Sequence, residues 1–329
     1  MKTKSMSHCS LVISHCLLFL LLLCAPAHAV TRTWLVSTGT WSTATNWSGS
    51  TRPTSADTAL IDSGRTAIVS AGVSGTAGII VTGSSGIGIL SITGGLLTTT
   101  TGYLGYSAGA SGTATVSSGT WSNSGFLNVG LSGTGTLNVS GGTVSNSNGV
   151  LSSNASSTGM ATVSGGTWST TSFLYMGLNG TGTLNVNGGT VSDDSGFIGR
   201  NAGSNGTATV SGGTWSNSSS LAVGQSGIGT LNLTDSGNVT VNSGTGTVIL
   251  ANGAASSGTL NLGTSGTAGT LNAAVVQGIR STATVNFNHT GSYTFAPRLT
   301  GTMNGGGGKV RMSTTNGGVK LSSAGKKTT

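Results

Sequence analysis

Between residues 65 and 285 the apolar residues alternate with polar ones at a period of two, in runs of three to five broken by Gly, Asn and Ser. In 135–158, "GTLNVSGGTVSNSNGVLSSNASST", Leu137 and Val139 alternate with Thr136, Asn138 and Ser140. A Gly-Gly turn follows, then "TVS", a second turn and "GVLS". Side chains spaced by two fall on one side of an extended chain, and Gly, Asn and Ser accept turn conformations. Each such unit therefore predicts three short strands. No stretch beyond residue 29 carries a 3.6-residue apolar stripe, so helices are not expected there.

The unit repeats. A Gly-Thr-x-x-Val/Leu-type mark begins at Gly88, Gly112, Gly135, Gly159, Gly182, Gly206, Gly229 and Gly258, in steps of 24, 23, 24, 23, 24, 23 and 29. Weaker marks at Arg65 and Ser281 lie 23 residues outside the two ends. Forms "TATV" and "TLNV" alternate, so near-identical text such as "GTATVSGGTWSNS" recurs every 47 residues. Three strands per 23–24 residues describe one coil of a three-sided, right-handed, single-stranded parallel β-helix. A lone coil cannot pair its strand N–H and C=O groups or bury its apolar residues, whereas stacked coils do both at about 4.8 Å spacing. About ten coils make a rod of roughly 50 Å. Trp121, Trp168 and Trp215 fall in the slot that holds Val144, Val191 and Val239 in the intervening coils, which predicts an interior ladder of Trp and Val. The competing reading is exposed Trp that stacks on sugar rings. The long step of 29 predicts a loop around "NSGTG" (242–246), with the coils on either side in register.

Domain boundaries follow: 1–29 a signal peptide, 30–64 an N-terminal cap, 65–285 the repeat region, and 286–329 a C-terminal coil or tail. Lys2 and Lys4 precede the apolar run 11–24, and Ala27 and Ala29 suit cleavage after Ala29. The apolar run is shorter than the ~20 residues of a membrane span, and Leu23 is bulky for lipoprotein processing at Cys24. Cleavage would remove Cys9, Cys16 and Cys24, leaving neither a disulfide framework nor a Cys-based site, and no transmembrane segment. The chain is therefore expected outside the cell, secreted or associated with the outer membrane.

Composition narrows the function. Only 5% of the residues are charged, Gly numbers 58, Pro 3, and Glu is absent. This excludes disorder driven by charge, and collagen, which needs a strict Gly period and abundant Pro. The net charge of +8 is unevenly spread: Lys309, Arg311, Lys320, Lys326 and Lys327 lie in the last 25 residues, while Arg200 is the only basic residue from 66 to 279. A phosphate-binding face needs clustered Lys and Arg, so nucleic acid is not an expected partner of the body. His289 is the only histidine after the signal, and no repeated Asp provides a Ca²⁺-binding solenoid, so neither metal nor cofactor is expected. Asp193, Asp194 and Arg200 are the one cluster from which a polysaccharide lyase or hydrolase could be built. Asp193 and Asp194 replace Asn146 and Ser147 of the equivalent turn, however, which favours a turn or surface role.

The units "GTGTLNVSGGTVSNS" (133–147) and "SFLYMGLNGTGTLNVNGG" (172–189) resemble the repeat shared by autotransporter passengers of type V secretion and PEP-CTERM-associated bacterial surface proteins. Residues 33–62 resemble the cap that such proteins place first, with Trp34, Trp41, Asn46, Trp47, Pro53 and Asp57 at its marker positions. Residues 285–301 resemble the segment that joins passengers to later repeats. The resemblance implies a β-helical rod outside a Gram-negative cell, and it implies no shared reaction. Neither a run of barrel-forming strands nor a Pro-Glu-Pro motif is read in 305–329, whose Lys-rich text fits a further coil, a basic tail or the stump of a longer product.

Three functions remain. The first is a structural or adhesive surface rod with no catalytic activity of its own, whose partners are surface glycans or other cell-surface proteins. The second is a carbohydrate-binding module using an outward row of Thr115, Asn138, Thr162, Asn185, Thr209 and Asn232, whose alternation of Thr with Asn spoils a lattice suited to ice. The third is an enzyme on Asp193, Asp194 and Arg200.

Overall fold

The computed structural model describes residues 29–280, 282–301, 309–315 and 319–321. Residues 1–28, which hold nearly all of the expected signal peptide and the three cysteines, lie outside them. The chain is an all-β parallel solenoid of about eleven turns, 62% strand and 3% helical.

One coil shows how sequence makes structure. Thr134–Val139 lies on a first face, Thr143–Asn146 on a second and Asn148–Leu151 on a third. The next coil supplies Thr158–Val163, Thr167–Thr170 and Phe173–Met176. Gly135 lies opposite Gly159, Val144 opposite Trp168 and Gly149 opposite Leu174, so equivalent strands stack in parallel. Along the first-face strand Gly135, Leu137 and Val139 are buried while Thr136 and Asn138 are half-buried on the outside, the alternation that the sequence predicts.

The start-mark glycine has a steric cause. Where the chain leaves the third face it turns through positive φ, at Gly130 (80°), Gly177 (72°) and Gly224 (73°). A Cβ on Gly135 would run into the amide of Gly130, and one on Gly182 into that of Gly177. Glycine gives the first strand room to pass this corner in the coils from Gly88 to Gly258, whereas Arg65 and Ala283 hold the equivalent position in the coils at either end. Ser152 takes the same left-handed conformation (φ 70°), with its hydroxyl bonded to the Ser157 carbonyl at 3.0 Å.

The 47-residue period is a packing arrangement across two coils. On the first face Ala114, Leu137, Ala161, Leu184, Ala208 and Leu231 are in register; on the second, Trp121, Val144, Trp168, Val191, Trp215 and Val239. All twelve side chains are fully buried, so the Trp and Val form the interior ladder. Each coil pairs a small residue with Trp or a large one with Val, which keeps the core volume per level nearly constant. The Trp ring also reaches back into the preceding coil. A Cβ on Gly149 would stand 2.8 Å from Cζ2 of Trp168, and one on Gly196 2.7 Å from Cζ2 of Trp215. Trp168 Nε1 donates to Asn146 Oδ1 at 2.7 Å, and Trp121 Nε1 to Thr99 Oγ1 at 2.9 Å.

Both ends extend the stack beyond ten coils. Thr38–Thr40 pairs with Arg65–Ser70, and Thr31–Thr33 with Thr58–Ile61, so the stretch read as a cap contributes its own strands. Trp34, Trp41 and Trp47 pack edge to face, with ring centroids 4.9 and 4.7 Å apart, and are buried. Asp57 ties this end together through the Val30 amide (3.0 Å), the Thr54 amide (2.9 Å) and the Thr54 hydroxyl (2.8 Å). At the far end Lys309–Thr315 pairs with Ala283–Thr290.

The long step keeps register but spreads its extra residues. Val210 opposes Leu233, an offset of 23; Thr214 opposes Asn238, 24; Leu221 opposes Val248, 27; Ile228 opposes Ser257, 29. Only three of the added residues fall at the expected 242–246 corner, where Asn242, Ser243 and Gly244 turn the chain through positive φ (45°, 51° and 90°). One falls before Asn238 and two fall after Leu250, because every corner absorbs insertions without disturbing the strands.

Candidate functional site

The outward row forms as expected in geometry. Thr115, Asn138, Thr162, Asn185, Thr209 and Asn232 are in direct register on the first face, each half-buried by its neighbours. The row continues through Asn261 and Asn286 as an amide ladder. Asn232 Nδ2 donates to Thr209 Oγ1 (3.2 Å), Asn261 Nδ2 to Asn232 Oδ1 (2.7 Å) and Asn286 Nδ2 to Asn261 Oδ1 (2.7 Å). Part of its hydrogen-bonding capacity is thus spent within the row itself, which carries no charge from Thr115 to Asn286; the next position in register is Arg311.

The three residues of the enzyme reading are not brought together. Successive residues of a strand point to opposite sides, and Asp193 is in phase with buried Val191. Asp193 is therefore interior, which corrects its expected place on a turn or surface. Its Oδ2 accepts the Trp215 indole N–H at 2.5 Å, the role Asn146 plays for Trp168, and its Oδ1 has no partner among the described residues. Burial pushes the carboxyl up to about 8; the bond from Trp215 opposes the rise and the neighbouring Asp194 adds to it. Asp194 points outward, accepting from Ser218 Oγ (2.9 Å) and Ser195 Oγ (3.2 Å). Arg200 turns to neither carboxylate and places its guanidinium 5.0 Å from the Phe197 ring centroid. Among the described residues the only ion pair joins Arg32 to Asp57 (4.0 Å), and no three His, Cys, Asp or Glu lie close enough to hold a metal ion. His289 is buried, its ring 5.3 Å from that of Tyr293.

The structure adds a feature that the sequence reading missed. On the third face Leu127, Leu174 and Leu221 point inward, and the aromatic residues between them point out. Phe126 and Phe173 are 50% and 39% exposed. The rings of Tyr175 and Phe197 stack with centroids 5.4 Å apart and an interplanar angle of 20°, and Phe173 packs against both at 5.9 Å. Three coils below Phe173, on the strand that pairs with that of Phe126, Tyr103 meets Tyr106 edge to face with ring centroids 5.2 Å apart. Burial pushes the Tyr175 hydroxyl pKa up, and the charge of Arg200 partly offsets this. The signal was present in "GFLNVG" and "SFLYMG", where Phe and Tyr are out of phase with the inward Leu.

Comparison of the chain with protein-family models, with curated proteins and with solved structures returns no match. No helix among the described residues is long and apolar enough to cross a membrane.

Proposed function

We propose that this chain is a secreted or cell-surface structural rod of the passenger type, adhesive through its outer faces and without catalytic activity of its own. One observation carries the reading: an unbroken parallel stack whose N-terminal coils bury Trp34, Trp41 and Trp47, and whose first face presents an outward row of Thr and Asn, without charge, from Thr115 to Asn286. Stiffness and a flat repeating surface are what a spacer or adhesin requires, and interior groups such as Asp193 serve packing. Beads coated with the purified chain should adhere to glycan- or protein-coated surfaces. Replacing Thr162 and Asn185 by Lys should reduce that adhesion. Polysaccharide turnover that disappears in an Asp193→Ala/Asp194→Ala variant would overturn the non-catalytic reading.

The exposed aromatic residues of the third face favour a second reading, a carbohydrate-binding surface, because aromatic side chains on an otherwise polar face are placed to meet the apolar faces of sugar rings. On a glycan array Phe173→Ala should lose signal while keeping the melting temperature of the native chain. An unchanged array pattern would remove this reading and leave the rod.

A further inference from the structure

We infer that the third face around Phe173, Tyr175, Phe197 and Arg200 binds an extended, carboxylate-bearing polysaccharide of the uronic-acid type, lying along the axis of the rod. The inference rests on the carbohydrate-binding reading and specifies its ligand. Phe126 and Phe173 stand two coils apart in one outward column, with Asn148 between them, so the exposed rings are roughly 10 Å apart along the axis. That row of rings and amide suits a chain running up the rod better than a compact ligand seated in a pocket. Tyr175 and Phe197 are neighbours in the adjacent column, one coil apart.

The charge selects the class of sugar. Arg200 is the only basic residue between 66 and 279, and it lies at this aromatic cluster. Its guanidinium is held against the Phe197 ring and beside the Tyr175 hydroxyl, with no carboxylate within ion-pair distance among the described residues. A guanidinium fixed by aromatic neighbours keeps its planar fork of donors free for a carboxylate, which it can engage with two parallel hydrogen bonds. The sugar carboxylate would supply the anion that the protein does not.

Affinity electrophoresis of the full purified chain through gels containing polygalacturonate, alginate or neutral hydroxyethylcellulose tests this. The native chain should be retarded by the acidic polymers more than by the neutral one. Arg200→Gln should weaken acidic binding about tenfold, the loss of one charge-assisted contact, and abolish the preference. Phe173→Ala and Phe197→Ala should weaken binding to every polymer that binds, and all three variants should keep the native circular dichroism because the altered side chains lie on the outside. Retardation by none of the polymers would overturn the inference together with the carbohydrate reading. Equal retardation by neutral and acidic polymers, unaffected by Arg200→Gln, would overturn the acidic specification alone. Acidic binding that survives Arg200→Gln but disappears when Lys320, Lys326 and Lys327 become Gln would assign it to the basic C-terminal segment. Sedimentation showing a dimer that Phe173→Ala dissociates, without glycan binding, would reassign the face to self-association.

Discussion

Replacing Asp193 by Asn should change how stability depends on pH. The carboxyl is buried beside Trp215, and burial pushes its pKa from the ordinary 3.8 up to about 8. In the unfolded chain it ionises near its ordinary value, while in the folded chain it keeps its proton until about pH 8. The folded state therefore binds the extra proton between these limits. Its stabilising contribution is complete below about pH 4 and declines as pH rises, until the folded form also ionises. At about 1.4 kcal/mol per pH unit, the interval from 3.8 to 7 amounts to at most about 4 kcal/mol at neutral pH. Asn removes this proton linkage and still presents a carbonyl oxygen to the Trp215 indole, as Asn146 does for Trp168 at 2.7 Å. Urea unfolding followed by tryptophan emission at pH 4.5, 6, 7.5 and 9 should show the native chain losing stability up to about pH 8. Asp193→Asn should lie close to it at pH 4.5 and well above it at pH 7.5. Hydrogen exchange should place the difference in the coils that begin at Gly182 and Gly206, since each coil depends mainly on its neighbours. Parallel pH curves for the two proteins would refute the assignment of a buried, protonated Asp193.

The acid side should slope the other way. Burial raises the carboxyls of Asp57 and Asp62, but hydrogen bonds from Thr54 and Val30 to the first and from Ser85 and Gly86 to the second outweigh it and hold both below the usual range, so their contribution is lost as pH falls below about 4. Asp57→Asn should flatten that acid limb in thermal melts. Trp168→Ala should cost about 3–5 kcal/mol and expose the coils beginning at Gly135 and Gly182 to protease first. Ala161→Leu alone should destabilise by about 1–3 kcal/mol through overpacking against Trp168 on the same level, and adding Trp168→Val should restore most of the loss in a double-mutant cycle. Deleting Ser243, Gly244 and Thr245, the three residues gained at that corner, should leave the melting temperature nearly unchanged.

The repeat period, the three strands per coil and the interior position of the Trp and Val ladder were legible in the residues alone. A strand's sidedness follows from alternation over three or four positions, and a recurring glycine marks most of the tight corners. Asp193 was also in phase with Val191, but two adjacent acids after a short strand resemble a turn, because ionised carboxyls are seldom buried. Its burial depended on the indole of the following coil, 22 residues away. In the same way Gly149 and Gly196 carry no local sign that a Trp ring from the next coil fills the space above them. The spread of the added residues over three corners was undetermined too, since the count between two marks gives only their sum. Alternation also says which residues share a side, but not what lies beyond it. Only stacking placed Phe173, Tyr175 and Phe197 in one outward cluster and swung Arg200 onto it, because contacts across coils depend on register between segments more than twenty residues apart, which no single strand encodes.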